Sequence, residues 1–412
     1  MNNLGIALSG GGSRAIGFHR GTLRALDELG LVERIDVVST VSGGSVFGCG
    51  WMCSQLEGKR TSQFLSDLEP ILRRGFIAPS LLSPRALKML LPGFTRTHRL
   101  AEVFGDLLLG YRQLSALPAR PLLCVNATVL NHGMPGRFSR GGFSCDLVGE
   151  RDHEGSYPET RLTRRDLGFA VAASAAFPFA LPPVALGAEE LPALQGALQG
   201  QRQLLLTDGG VLDNLGVERL LSGGRFATRH IIVSDAGVAE TAWAPSLVQS
   251  LLSFGAFALA RKTLSRLLAV MNDKQNRTMR QLALRRVGAL EEPHQERRLW
   301  FVRIDQTWEA FFGGVPHSRL RAVARTGAEL PRKGAPAADV VTFLEAQGID
   351  LSRARAHYDE ADGVHANGVT TNFTGLKPTD LVALEKHAMW QVHACHAVYG
   401  DIIPPPRRDS AA

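Results

Sequence analysis

Ile35-Asp36-Val37-Val38-Ser39-Thr40-Val41-Ser42-Gly43-Gly44-Ser45 runs a β-branched segment straight into a glycine-flanked serine. Ile35 to Thr40 reads as a buried strand, Ser42 to Gly44 as a sharp turn, and Val46 to Leu56 as a helix. The same order stands just upstream. Leu4 to Ser9 reads as a short buried strand, Gly10-Gly11-Gly12-Ser13-Arg14 as a glycine loop, and Ala15 to Leu29 as a helix that ends at Gly30. Downstream, Leu122 to Leu130 reads as a strand whose hairpin partner starts at Arg137 to Ser139. Leu167 to Ala176 reads as a small-residue helix, halted by Phe177-Pro178-Phe179 and by Pro182-Pro183. Leu204 to Thr207 and His230 to Asp235 are further strands. Strands alternating with helices predict a mostly parallel sheet with helices on both faces, a three-layer α/β/α sandwich whose functional loops gather at the carboxyl ends of the strands.

Around that alternation the chain has room to spare. Its 412 residues suffice for one large α/β domain with insertions or for two ordinary domains. Residues 57 to 119, with Pro79, Pro84 and Pro92, read as a cap-like insertion in a core spanning residues 1 to 240. Residues 241 to 412 read as a mostly helical extension that completes or covers the core, with a strand at Leu299 to Ile304 and a closing helix from Pro378 to Tyr399. The stretch Ser246 to Val270 is apolar, but Arg261, Lys262 and Arg266 interrupt it, so it reads as an amphipathic helix and not as a membrane span. No internal repeat is visible.

A composition of 45% hydrophobic and 21% charged residues excludes disorder, collagen and coiled coil for the chain as a whole. The net charge of +7 suits an anionic partner such as membrane phospholipid or nucleic acid, and its sign alone does not choose between them. The cations fall in short clusters, as on solvated helix faces, and a nucleic-acid substrate is not expected. The five cysteines are odd in number and lack zinc-type pairing, which fits reduced thiols and no metal. Met1-Asn2-Asn3-Leu4 enters strand-like sequence without a leader pattern, so a cytoplasmic protein with a peripheral place at the membrane is expected. Oligomeric state is not readable.

Three segments carry chemistry. The loop Gly10 to Arg14 opens a helix, where N–H groups lack intrahelical partners and the dipole favours negative charge; it can bind a phosphate or a developing oxyanion. It lacks the lysine of a phosphate loop. Gly10, Gly12 and Ala15 loosely match a dinucleotide fingerprint, but the acidic residue Asp36 begins the second strand instead of ending it. The second segment, Thr40 to Gly44, has the layout of a nucleophile elbow with Ser42 at its apex, Thr40 where a glycine is usual, and Gly43 and Gly44 supporting the turn. The third places Asp208 at a strand end before Gly209 and Gly210. Together they converge on one crevice.

In that order, glycine loop with arginine, serine elbow and Asp208-Gly209-Gly210, the sequence resembles the patatin-like phospholipase family over about residues 4 to 240. Asn126-Ala127-Thr128 and Ala173-Ser174-Ala175-Ala176-Phe177-Pro178 belong to the same match. The resemblance implies a patatin-like fold and a Ser42–Asp208 dyad in place of a triad. It implies an oxyanion hole from Gly10, Gly11, Gly12, Ser13 and Arg14, a lipid-ester substrate and no cofactor. A free Asp has a pKa of about 3.9, low for a base, so Asp208 is expected to be partly buried. Arg14 is expected to guide an anionic head group or to anchor the loop, and Asp213 and Asn214 to serve the turn. Pro84 to Leu91, mixing basic and long apolar side chains, is expected to be an interfacial helix or a buried cap helix.

Two other functions stand beside this one. A conventional hydrolase triad would need His19 or His230, yet the first lies inside a helix and the second begins a strand. An inactive lipid-binding scaffold would have no use for both Ser42 and Asp208. Ser45 offers a second nucleophile frame but lacks glycine two residues later.

Overall fold

The structure, a computed structural model of the full chain, describes residues 2–146, 165–237, 274–283 and 298–400, apart from 179, 192–197, 199 and 223. The expected amphipathic stretch Ser246–Val270 lies outside the described residues.

Five strands form the parallel centre of the sheet: β1 (Asn2–Leu8), β2 (Ile35–Val41), β3 (Leu122–Val129), β8 (Thr228–Asp235) and β9 (Arg298–Arg303). They stand in the order β3-β2-β1-β8-β9, every neighbouring pair parallel. Antiparallel β4 (Met134–Ser139) and β5 (Gly142–Cys145) extend the β3 edge. Strand β6 (Val184–Gly187) pairs antiparallel with β7 (Gln203–Asp208), and β7 pairs antiparallel with β3.

Alternation along the strands buries both faces. Leu4, Ile6, Leu8, Val38, Val125 and Ile232 face a core shared with α1 (Gly12–Glu28) and α2 (Gly43–Leu56). Ala7, Val37, Cys124, Ile231 and Val233 face the opposite way, onto Leu215, Val217, Leu220 and Phe226. The C-terminal helix, Pro378–Tyr399, is buried on two sides and presents apolar residues to each. Leu384, Ala388 and Val392 join the main core, while Trp390, Ala394 and Val398 join a second core with Phe312, Val340 and Leu344. Its backbone crosses α1 so closely that a Cβ on Gly21 would lie 2.4 Å from the Glu385 carbonyl oxygen.

Within residues 57–119 lie α3 (Thr61–Arg74), α4 (Ile77–Leu81) and α5 (Arg96–Phe104). The helix expected over Pro84–Leu91 is a 3-10 helix, Pro84–Leu90, capped by the Ser83 hydroxyl and with none of its residues buried. It is therefore not the buried cap helix of the two expectations. Helix α6 (Leu167–Ser174) runs under the sheet's carboxyl end. No described helix is long and apolar enough to cross a membrane.

Candidate active site

Strand β2 ends at Val41 and α2 begins at Gly43, so Ser42 alone makes the turn, with φ 51° and ψ −118°. Side chains rarely adopt that conformation, and holding one there costs about 1–3 kcal/mol. The turn is packed on backbone. A Cβ on Gly43 would lie 2.4 Å from the Gly12 carbonyl oxygen, and one on Gly44 would lie 2.2 Å from that of Leu8. Thr40 fits where a glycine is usual because the room comes from elsewhere. Its hydroxyl donates to the Cys124 carbonyl at 3.2 Å and accepts from Ser45 at 3.0 Å. Its methyl fills the space beside Gly48, where a Cβ would meet it at 2.7 Å.

Asp208 reaches Ser42 by a route the alternation of strands did not predict. In register, Val41 pairs with Asn126, after which β2 stops while β3 continues to Val129. With β4 on the other edge of β3, strand β7 takes up the vacated edge antiparallel, pairing Ala127 with Asp208. The two strand ends therefore run toward each other, one delivering Ser42 and the other Asp208. Asp208 is 2% exposed, more deeply buried than expected. One carboxylate oxygen accepts the Gly210 N–H at 2.7 Å, and the other has no hydrogen-bond partner. Burial pushes its pKa up to about 6, although the Gly210 N–H and the neighbouring Ser42 hydroxyl pull it down. Ser42 approaches this carboxylate without meeting full hydrogen-bond geometry.

The glycine loop lies against the elbow, with Gly11 at φ 141° and Gly12 at φ 60°. Its donors are not all available. The Gly10 N–H donates to the Asn214 carbonyl at 3.1 Å and the Ser13 N–H to the Asn372 carbonyl at 2.6 Å. Those of Gly11 and Gly12 make no hydrogen bond among the described residues. Of the five residues expected to line an oxyanion hole, then, Gly10 and Ser13 have their N–H groups spent on backbone carbonyls. The Arg14 guanidinium is 2% exposed and donates to the carbonyls of Val369 (3.1 Å) and Ala236 (2.6 Å), the anchoring alternative. Burial lowers its pKa to about 9, with nearby Asp235 opposing. Asp213 serves the turn as expected, accepting N–H groups from Leu215, Gly216 and Glu218. Asn214 does more, since its side-chain oxygen would lie 2.3 Å from a Cβ on Gly10 and 2.7 Å from one on Gly210. It fills the gap between the glycine loop and the Asp208 turn.

One contributor escaped the sequence reading altogether. Residues 369–374, far along the chain, form a strap over the loop. The Ser13 hydroxyl donates to the Thr374 carbonyl at 2.8 Å, and a Cβ on Gly12 would lie 2.2 Å from the Asn372 carbonyl oxygen. On its other side the strap accepts the N–H groups of Phe76 (2.9 Å) and Ile77 (3.3 Å) at the Phe373 carbonyl, which joins it to α4.

Ser42, Asp208, Gly11 and Gly12 open into a cavity of about 460 Å³. Ile77, Leu81, Met89 and Leu100 from residues 57–119 line it, together with Phe177, Leu181 and Phe373. No histidine lines it among the described residues. His19 is buried with one ring nitrogen on Ser234 (2.8 Å) and the other on the Ser9 carbonyl (2.9 Å), and burial lowers its pKa to about 4. His230 sits at the start of β8. Ser45 is buried, with its hydroxyl between Thr40 and Ser174. Among the described residues, Glu28, His357 and His393 offer ligand atoms within 4.8 Å of one another that could hold a metal; Glu28 ends α1, opposite the glycine loop.

Beneath the elbow, Ser174 touches both halves of the site. Its hydroxyl accepts the Ser42 N–H at 3.0 Å and donates to the Asn126 carbonyl at 2.5 Å, while its carbonyl accepts the Gly209 N–H at 3.2 Å. The Ala176 carbonyl takes the Asp208 N–H at 3.1 Å. The end of α6 thus sets the spacing between serine and aspartate.

A family model described as patatin-like phospholipase matches residues 6–221. No curated protein matches the chain. Among solved structures the chain is similar to human GIVD cytosolic phospholipase A2, at 15% identity and a TM-score of 0.50, over 98% of this chain and 59% of that one. The same human protein in complex with methyl gamma-linolenyl fluorophosphonate and terbium chloride gives 14% identity and a TM-score of 0.47, over 98% and 58%. The chain spans 59% of the length of the human structure, and at this identity the likeness is one of fold.

Proposed function

Because the chain belongs to the patatin-like phospholipase family, we propose that it is a lipid acyl hydrolase of the phospholipase A, lysophospholipase or esterase type, working through Ser42 and Asp208. Ser42 attacks the ester carbonyl as its proton passes to Asp208. The N–H groups of Gly11 and Gly12 hold the oxyanion. Collapse expels the alcohol, which takes the proton back, and water activated by Asp208 then releases the fatty acid from Ser42. The observation that carries this reading is a single juxtaposition. A strained serine and a buried carboxylate with one unpartnered oxygen share an apolar cavity with two unspent backbone donors. Apolar walls suit an acyl chain. Residues 57–119 act as the cap, and residues beyond 240 complete the site through the strap.

The test is fatty-acid release from phospholipid vesicles and turnover of short-chain aryl esters, both without calcium, with labelling by a fluorophosphonate probe. Hydrolysis with labelling at Ser42 is the expected result. Absence of labelling on the intact protein would sink the mechanism and leave the scaffold reading in its place.

Ser174 is a positioning residue in this scheme. Ser174→Ala removes the acceptor for the Ser42 N–H, a bond worth about 1 kcal/mol, so kcat is expected to fall about fivefold. KM for a soluble ester should stay unchanged, because Ser174 does not line the cavity. Steady-state kinetics would check both, and a rise in KM with kcat intact would contradict the assignment.

A further inference from the structure

Beside the cavity lies an apolar surface that none of the described residues covers. Leu81, Leu82, Leu87, Leu90 and Leu91 are 51%, 85%, 70%, 82% and 59% exposed. The 3-10 helix between them repeats about every three residues, which sets Leu87 and Leu90 along one edge and Arg85 and Lys88 along the next. Arg85 pairs with Asp106 at 2.9 Å and Lys88 with Glu102 at 2.5 Å, pinning the helix to α5 and the turn after it. This surface continues inward, since Leu81 and Met89 also line the cavity that holds Ser42. Arg96 lines it as well. Its side chain is exposed and makes no hydrogen bond or ion pair among the described residues.

Charge selects the occupant. Of the cations around this surface, Arg73 pairs with Glu69, Arg85 with Asp106 and Lys88 with Glu102, and Arg99 is buried on Glu102, which leaves the exposed Arg74 and Arg96 with no acidic partner among the described residues. Two copies of the chain meeting on this face would set these cations against each other, whereas long apolar side chains amid cations are what an anionic membrane surface accepts. Building on the lipid hydrolase reading above, we propose that residues 81–96 dock the protein on an anionic phospholipid bilayer. The leucines enter the acyl region, Arg96 meets a headgroup phosphate, and a lipid slides along Leu81 and Met89 to Ser42 without crossing water.

The test uses the full chain and a Leu87→Glu/Leu90→Glu double variant, neither position lining the cavity. Co-sedimentation is measured with phosphatidylglycerol and with phosphatidylcholine vesicles, alongside turnover of a soluble aryl ester. The wild type is expected to bind phosphatidylglycerol vesicles more tightly than phosphatidylcholine, and less as salt rises. The double variant is expected to bind at least about tenfold more weakly, with soluble-ester turnover unchanged. Ser42→Ala should bind vesicles as the wild type does, which separates docking from chemistry: failure of the hydrolase reading silences the soluble ester and leaves vesicle binding intact. If the double variant loses its fold, Leu82→Glu carries the same test at the most exposed leucine. Vesicle binding equal in variant and wild type, or no binding by a wild type active on the soluble ester, would overturn the proposal. So would sedimentation velocity showing a wild-type dimer that the double variant abolishes.

Discussion

Ser42→Ala is expected to lower turnover of a soluble aryl ester by about 10⁴-fold or more, since removing a nucleophile from a hydrolase leaves only binding and oxyanion stabilisation. KM should change little, because the cavity walls remain. The same position reports backbone strain. Ser42→Gly is equally inactive but has no side chain to clash at φ 51°, so it should be more stable than Ser42→Ala by about 1 kcal/mol. Urea unfolding of the two variants would measure this. Near-equal activity of Ser42→Ala and the wild type would move the nucleophile elsewhere, and equal stability of the two variants would remove the strain argument.

Asp208→Asn is the second large effect, and it acts on activity and stability in opposite directions. An amide cannot accept the Ser42 proton, so kcat is expected to fall by about 10³- to 10⁴-fold. With the Asp208 pKa at about 6, wild-type kcat/KM should rise with pH through that value and level off above it, because only the ionised carboxylate is a base. Stability runs the other way. The folded pKa lies above the ordinary 3.8, so the native state binds the extra proton between pH 3.8 and about 6. The stabilisation this brings is fully present below 3.8 and is lost as pH rises through 6. At pH 7 the buried carboxylate therefore costs on the order of 2–3 kcal/mol, and Asp208→Asn should recover much of it. The amide oxygen can still accept the Gly210 N–H. Urea unfolding should show the gain at pH 7 and none at pH 3.5. A variant that is less stable at pH 7 would mean that the carboxylate has partners beyond those described.

Much of this site was legible one segment at a time. The elbow at Ser42, the loop at Gly10 to Gly12 and the Asp208 turn each announce themselves by glycines at strand ends, because close backbone approach forbids a Cβ there. The closing helix was readable at about Pro378–Tyr399, since proline starts it and no glycine or proline interrupts it before Gly400. The hairpin strand β5 and the strand β6 were not read. Both are four residues long, too short for alternation to show. Thr40 looked like a departure from the elbow pattern. Its compensation at Gly48 lies a full helix turn into α2, where no local rule looks for it.

What the sequence determined by itself is the set of local conformations: strand, glycine turn, helix, repeated, with Ser42 and Asp208 placed at strand ends by hydrophobic period and by the steric freedom of glycine. Only the tertiary structure decided how these ends meet. Strand β7 enters antiparallel where β2 stops, Ser174 spaces serine from aspartate, and the strap at residues 369–374 withdraws the Ser13 donor from the loop. The reason is the kind of bond involved. Each of these contacts ends on a backbone carbonyl or N–H distant in sequence, and every residue carries a carbonyl, so no side chain at position 372 announces what its backbone will hold.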